Sequence, residues 1–173
     1  MKRDSISNTR KLTITEFVGK APEEFGLEFL AGESGGNERT LISGRIQKLG
    51  LALAGFAHYI HSGRIQIVGQ SEISYLDQLD SEGRLEAIGR LSLESISCIL
   101  ITKNLEPPPE LLTIANEAGL PVIKTHLVSS LAISKVSRFL EDFLAPRLTI
   151  HGVLLGVYGL GILILGDSGI GKS

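Results

Sequence analysis

The C-terminal run Gly161-Ile162-Leu163-Ile164-Leu165, followed by Gly166-Asp167-Ser168-Gly169-Ile170-Gly171-Lys172-Ser173, constrains this 173-residue chain more than any other stretch. An apolar segment of strand length empties into G-x-x-x-x-G-K-[ST], the pattern of a phosphate-binding loop. Glycines at these positions let backbone N–H groups converge on phosphate oxygens without side-chain obstruction. Lys172 brings a compact cation to the β- and γ-phosphates, and the Ser173 hydroxyl is a hard oxygen suited to Mg²⁺. The nucleotide-binding set is thus Gly166, Asp167, Ser168, Gly169, Ile170, Gly171, Lys172 and Ser173, with Ser173 also the metal ligand. Asp167 and Ser168 fill the variable positions, where solvent exposure or loop capping is the plainer reading. A glycine-rich surface turn would not explain why Lys and Ser directly follow the second required glycine. A helix N-terminus normally completes such a loop. With the chain stopping at Ser173 and a terminal carboxylate placed there, weak nucleotide binding by this chain is the expectation.

Upstream, His151-Gly152 precedes Val153-Leu154-Leu155-Gly156-Val157 and the dipeptide Tyr158-Gly159. Two apolar strands joined by so tight a turn run antiparallel, giving a hairpin that leads into the loop. His151 then lies toward the end of the hairpin from which the loop emerges, which raises it above a mere polar residue at a strand start.

The preceding residues alternate strand and helix patterns. Lys11 to Leu30 reads as a strand and a short helix, Glu33 to Asn37 as a turn, and Thr40 to Ser43 as a short strand. Gly50 to Ile60 has helical spacing weakened by Gly55, and Arg64 to Gly69 alternates like a strand. Glu72 to Leu91 reads as two amphipathic helices broken near Ser81 to Gly83. Ile96 to Thr102 is a strand buried on both faces, Glu110 to Ala118 a helix with Gly119 as its C-terminal cap, and Pro121 to Lys124 another buried strand. A helix capped by Ser129 or Ser130 runs to about Leu144, with Pro146 ending it. Strands alternating with helices imply parallel pairing, hence an α/β layered domain with a mostly parallel sheet. The division expected is an N-terminal domain over 1–132, a connecting helix over 133–145, and the start of a second domain over 146–173.

Charge argues against nucleic acid: 17 basic and 19 acidic residues give −2, with no basic tail. The glycine-interrupted run from Val153 to Leu165 is too short to cross a bilayer, and the N-terminus lacks a signal-peptide core. A cytoplasmic protein is expected. The single cysteine, Cys98, sits in an apolar run and reads as a buried hydrophobe rather than a catalytic thiol. His58, His61 and His126 show no metal-ligand spacing, and Arg45, Arg64, Arg84 and Arg90 stand singly, as on a solvated surface. The Glu141-Asp142 pair reads as part of a solvated helix face.

Taken together, His151 to Ile164 and the loop that follows resemble the signature of the HPr(Ser) kinase/phosphorylase family. Leu51-Ala52-Leu53-Ala54-Gly55-Phe56, Arg64 to Gly69, Glu72 with Tyr75-Leu76, Ile101-Thr102-Lys103, Pro109 to Leu112 and Phe143 to Pro146 extend the resemblance over almost the whole chain. Gly156 and Leu49 depart from it, standing where Asp and Pro are usual. The resemblance implies a Mur-ligase-like N-terminal domain followed by a P-loop kinase domain, assembled as a homohexamer. It implies a bifunctional enzyme that phosphorylates a serine of the phosphocarrier HPr, or a paralogue, with ATP or pyrophosphate and Mg²⁺, and removes the phosphate by phosphorolysis. By position, Lys172 stabilises the transferred phosphoryl group, and His151 polarises or protonates a phosphate oxygen. The acidic residues expected to bind metal and act as base fall beyond Ser173, so this chain alone is expected to be inactive. A second reading, from a different class, makes the N-terminal domain a ligand-sensing or subunit-assembly module.

Overall fold

The computed structural model describes residues 10–56, 58, 60–146 and 152–165. Its centre is a five-stranded sheet in the order β2-β7-β6-β5-β4. Strands β4 (Ile46–Lys48), β5 (Ile65–Val68), β6 (Cys98–Ile101) and β7 (Val122–Lys124) are parallel, and β2 (Glu28–Ala31) closes one edge antiparallel to β7. The expected α/β class with a mostly parallel sheet is what the chain adopts. Register sets Ile65 beside Cys98 and Ile99 beside Val122. All four residues of β5 and all four of β6 are buried, as the near-continuous apolar runs require when both faces are covered.

Alternation along these strands divides the core in two. Val68, Ile99, Ile101 and Val122 face one side, where α2 (Gly50–Leu53), α3 (Gln70–Asp77), α4 (Ser81–Gly89) and α5 (Pro109–Glu117) lay down Leu53, Leu76, Ile88 and Ala115. Ile65, Ile67, Cys98, Leu100 and Ile123 face the other, against α1 (Ile14–Lys20) and α6 (Ser129–Leu144). Helix α6 presents Ala132, Val136 and Leu140, spaced by four, to that layer. Strand β1 (Leu12–Thr13) pairs with β3 (Thr40–Leu41) in a separate antiparallel ribbon. Thr13 then caps α1 in a reciprocal box with Glu16.

Several elements differ from the sequence pattern. The helix expected over Gly50–Ile60 is only Gly50–Leu53, since Gly55 takes φ 104°, outside helical space. The break in the next helical stretch falls before Ser81, because the Asp80 carboxylate accepts from the Gly83 amide at 2.8 Å and starts α4 there. Neither Ser129 nor Ser130 caps α6: the N-cap is Val128, and the Ser129 hydroxyl pairs with Thr102 Oγ1 at 2.8 Å. Lys11 to Leu30 holds two strands rather than one, and β4 was not visible in the pattern at all. Gly119 does follow the end of α5, with φ 54°. Its carbonyl leaves room for nothing larger than Gly35, where an added Cβ would meet it at 1.9 Å.

Candidate functional site

Strands β8 (Gly152–Val157) and β9 (Leu160–Leu165) form an antiparallel hairpin in which Val157 faces Leu160. Tyr158 and Gly159 have φ 50° and 81°, both left-handed, as a type I′ turn demands. Only glycine enters that region freely, which explains Gly159; Tyr158 adopts it under constraint from the paired strands. At the open end Gly152 faces Leu165, so the residues bonded to His151 and Gly166 sit directly across from each other. The sequence expectation of an antiparallel hairpin over these residues is met. His151 and the whole loop, Gly166, Asp167, Ser168, Gly169, Ile170, Gly171, Lys172 and Ser173, lie outside the described residues.

The hairpin is apolar on both faces. Val153, Leu155, Ile162 and Ile164 share one side and Leu154 and Leu163 the other, because directly paired residues share a face. Leu154 and Leu160 are each 72% exposed. A two-stranded ribbon has no interior, so a pattern suited to burial on both faces is left open among the described residues.

The other chemically dense region is the carboxyl end of the parallel sheet. After β5 the Gly69 amide donates to Glu72 Oε2 at 2.9 Å, so a carboxylate already occupies the start of α3. After β6 the Thr102 hydroxyl reaches the Val68 carbonyl at 3.2 Å. Lys103 and Asn104 then take φ 60° and 50°, forming a turn closed by the Leu105 amide on the Thr102 carbonyl at 3.1 Å. After β7 the Thr125 hydroxyl donates to the Phe25 carbonyl at 2.5 Å and accepts from the Leu127 amide.

Two arginines hold structure rather than solvent. Arg84, expected on a solvated surface, is half-buried: its Nε donates to the Leu76 carbonyl at 3.0 Å and its Nη1 to Glu110 Oε1 at 3.3 Å. Glu110 is held below the usual carboxylate range first by its own backbone N–H, then by the Ser81 hydroxyl, and further by Arg84. Arg39, unmarked by any sequence pattern, donates to the carbonyls of Gly119, Leu93, Ile96 and Ala118. Desolvation lowers its pKa below the ordinary arginine value. Cys98 is fully buried, and burial pushes its thiol up to about 12 against the opposing pull of Arg39. A thiol so protonated is a packing group, as its surroundings in the sequence suggest. Among the described residues no helix is long and apolar enough to cross a membrane.

These residues define an α/β domain built on a mostly parallel sheet, followed by an antiparallel strand pair. The chain belongs to the HPr serine kinase family: the family model "HPr Serine kinase N terminus" matches residues 12–140, and "HPr Serine kinase C-terminal domain" matches 142–173. An HPr kinase/phosphorylase of Geobacter sulfurreducens is 48% identical over 152 residues, covering 87% of this chain and 47% of that protein. Those of Brevibacillus brevis and Latilactobacillus sakei are 39% and 38% identical, over 95% and 98% of this chain and 51% of each relative. The chain therefore spans about half the length of the curated relatives it matches. Among solved structures, the CBS and DRTGG domains of Clostridium perfringens pyrophosphatase align with a TM-score of 0.49 and 18% identity, over 75% of this chain and 50% of that one.

Proposed function

We propose that the protein to which this chain belongs transfers a phosphoryl group from ATP or pyrophosphate to a serine of the phosphocarrier HPr or a paralogue, and removes it by phosphorolysis. The observation that supports this reading most is the hairpin. It sets Gly152 opposite Leu165 and so brings the flanks of the histidine and of the phosphate loop to one end. The family match over 142–173 covers that same hairpin and loop. In this proposal residues 1–132 form a regulatory or assembly domain, 133–145 a connecting helix, and 146–173 open the kinase domain. The enzyme works in the cytoplasm as a homohexamer.

In the forward step the serine hydroxyl gives up its proton to a base, its oxygen bonds to the terminal phosphorus, and the bond to the leaving oxygen of ADP or phosphate breaks. Little covalent chemistry falls to the protein, so positioning and charge stabilisation dominate. The backbone amides of Gly166 to Ser173 hold the phosphates, and Lys172 balances charge on the transferred group. Among this chain's own loop residues the Ser173 hydroxyl has the hard oxygen that Mg²⁺ prefers, and when bound that ion neutralises phosphate charge. His151 donates a proton or hydrogen bond to a phosphate oxygen in one direction of the reaction.

The test is direct. The full gene product, incubated with HPr, Mg²⁺ and ATP or pyrophosphate, adds one phosphate to a serine of HPr by mass spectrometry, and Lys172→Ala abolishes it. Nucleotide binding with HPr left unmodified would remove the substrate assignment; unchanged activity in Lys172→Ala would remove the loop assignment.

A further inference from the structure

We propose that the N-terminal domain binds a small zwitterion with an apolar side chain, a free hydrophobic amino acid, in a cleft at the carboxyl ends of β6 and β7. The cleft has a volume of about 380 Å³, at the small end of the roughly 300–1,000 Å³ typical of small-molecule sites. Three independent features converge on it.

The first is topology. The connection after β6 runs through α5 on one face of the sheet, whereas the chain leaving β7 turns into α6 on the opposite face. In open α/β sheets ligands bind outside the carboxyl ends of the strands, the end at which this cleft opens. The second is backbone strain. Lys103 and Asn104 are both left-handed without being glycine; asparagine visits this region readily, but lysine enters it only when the surroundings enforce it. Here the Lys103 amide is tied to the Leu127 carbonyl and the Asn104 amide to the Thr125 carbonyl, both at 2.9 Å. The turn so fixed sets Asn104 and Leu105 on the wall of the cleft.

The third is the chemistry of the lining. Leu30, Leu105 and Leu112 pack against the core layer without completing it, and Pro107 and Pro109 extend the apolar wall. Against them stand one cationic residue, Lys124, one anionic residue, Glu106, and the neutral Asn104. With Glu28 paired to Lys124, the lining still offers a partner for each sign of charge, the remaining donors of Lys124 and the carboxylate of Glu106. It suits a molecule bearing both charges at one end and hydrocarbon at the other. Lys124 gives one N–H to Glu28 at 2.8 Å, and an ammonium has two more to donate.

The test uses isothermal titration of this chain with L-phenylalanine and L-leucine, alongside phenylacetate and phenethylamine, which each lack one charge. Saturable binding of the amino acids, with each single-charge analogue at least about ten-fold weaker, supports the proposal. Lys124→Met then weakens L-phenylalanine about ten-fold while leaving phenethylamine unchanged, and Leu112→Trp, which fills the cleft, removes both. Absence of saturable binding by either amino acid would overturn it. So would equal binding of all four probes, or undiminished binding in folded Leu112→Trp.

Discussion

Replacing Arg39 with methionine removes the group that ties the end of α5 to the 3₁₀ turn before β6. The Arg39 guanidinium reaches Gly119 at 2.9 Å, Ala118 at 3.1 Å and Leu93 at 2.7 Å, and also binds the Ile96 carbonyl. Ala118 and Gly119 end α5, while Leu93 and Ile96 bracket the short 3₁₀ turn before β6. Ala118, Gly119 and Ile96 follow the ends of helical turns, where carbonyls lack an internal partner and the dipole favours a cation, while the Leu93 carbonyl also accepts from the Ile96 amide. A hydrogen bond contributes about 0.5–1.5 kcal/mol net, more when one partner is charged. Four at that neutral figure sum to about 2–6 kcal/mol. Arg39 is only half-buried, so water re-solvates part of what is lost, and about 2–4 kcal/mol is the expected destabilisation. For a domain of this size that lowers Tm by roughly 6–16 °C, read by circular dichroism and by the urea midpoint. Lysine keeps the charge but not the planar fork, so Arg39→Lys recovers less than half of the loss. An Arg39→Met protein within about 0.5 kcal/mol of the parent, the ordinary range for surface substitutions, would refute the assignment of Arg39 as the tie between these ends.

Three further outcomes follow from the same coordinates. Gln66 is fully buried in β5 with both amide atoms unpartnered, so Gln66→Met, similar in length, raises stability by about 1–3 kcal/mol; a lower urea midpoint would show that the amide is satisfied in solution. Glu110 has a depressed carboxyl pKa, so its contribution is present above the unfolded glutamate range and lost as pH falls through the lower folded value. Tm should therefore fall less steeply on acidification in Glu110→Gln, and parallel curves would remove that role. Cys98, with its thiol pushed up to about 12 and no exposure, stays unlabelled by a thiol reagent at neutral pH until the chain is unfolded; rapid native labelling would contradict its burial.

What the sequence discloses tracks how local the cause is. Strands β5, β6 and β7 are short apolar runs closed by Gly69, Thr102 and Thr125, and each announces itself within a few residues. The hairpin is as legible, because Tyr158-Gly159 fixes turn type and register together. Strand β4 is not: Ile46-Gln47-Lys48 lies at a sheet edge, half-exposed, and owes its extended form to Ile65 to Ile67 beside it. Strand β2 finds its partner, β7, more than ninety residues on, and a bulge between Phe29 and Ala31 breaks the alternation that would reveal it.

The same distinction separates the two candidate sites. A phosphate loop is a contiguous motif, since adjacent backbone amides do the binding, and Gly166 to Ser173 can be read as text. The cleft beside β7 is assembled from Leu30, the turn at Asn104, the start of α5 and Lys124, which only the sheet order brings together. Arg39 belongs to this second kind, with acceptors 54 to 80 residues away. One local clue to the strand-end region was present. Gly69 followed three residues later by Glu72 is the spacing of a carboxylate returning to a helix start, and the bond at 2.9 Å makes it so. With that carboxylate seated on the start of α3, an anion is repelled there, whereas the cleft beside β7 presents both Lys124 and Glu106.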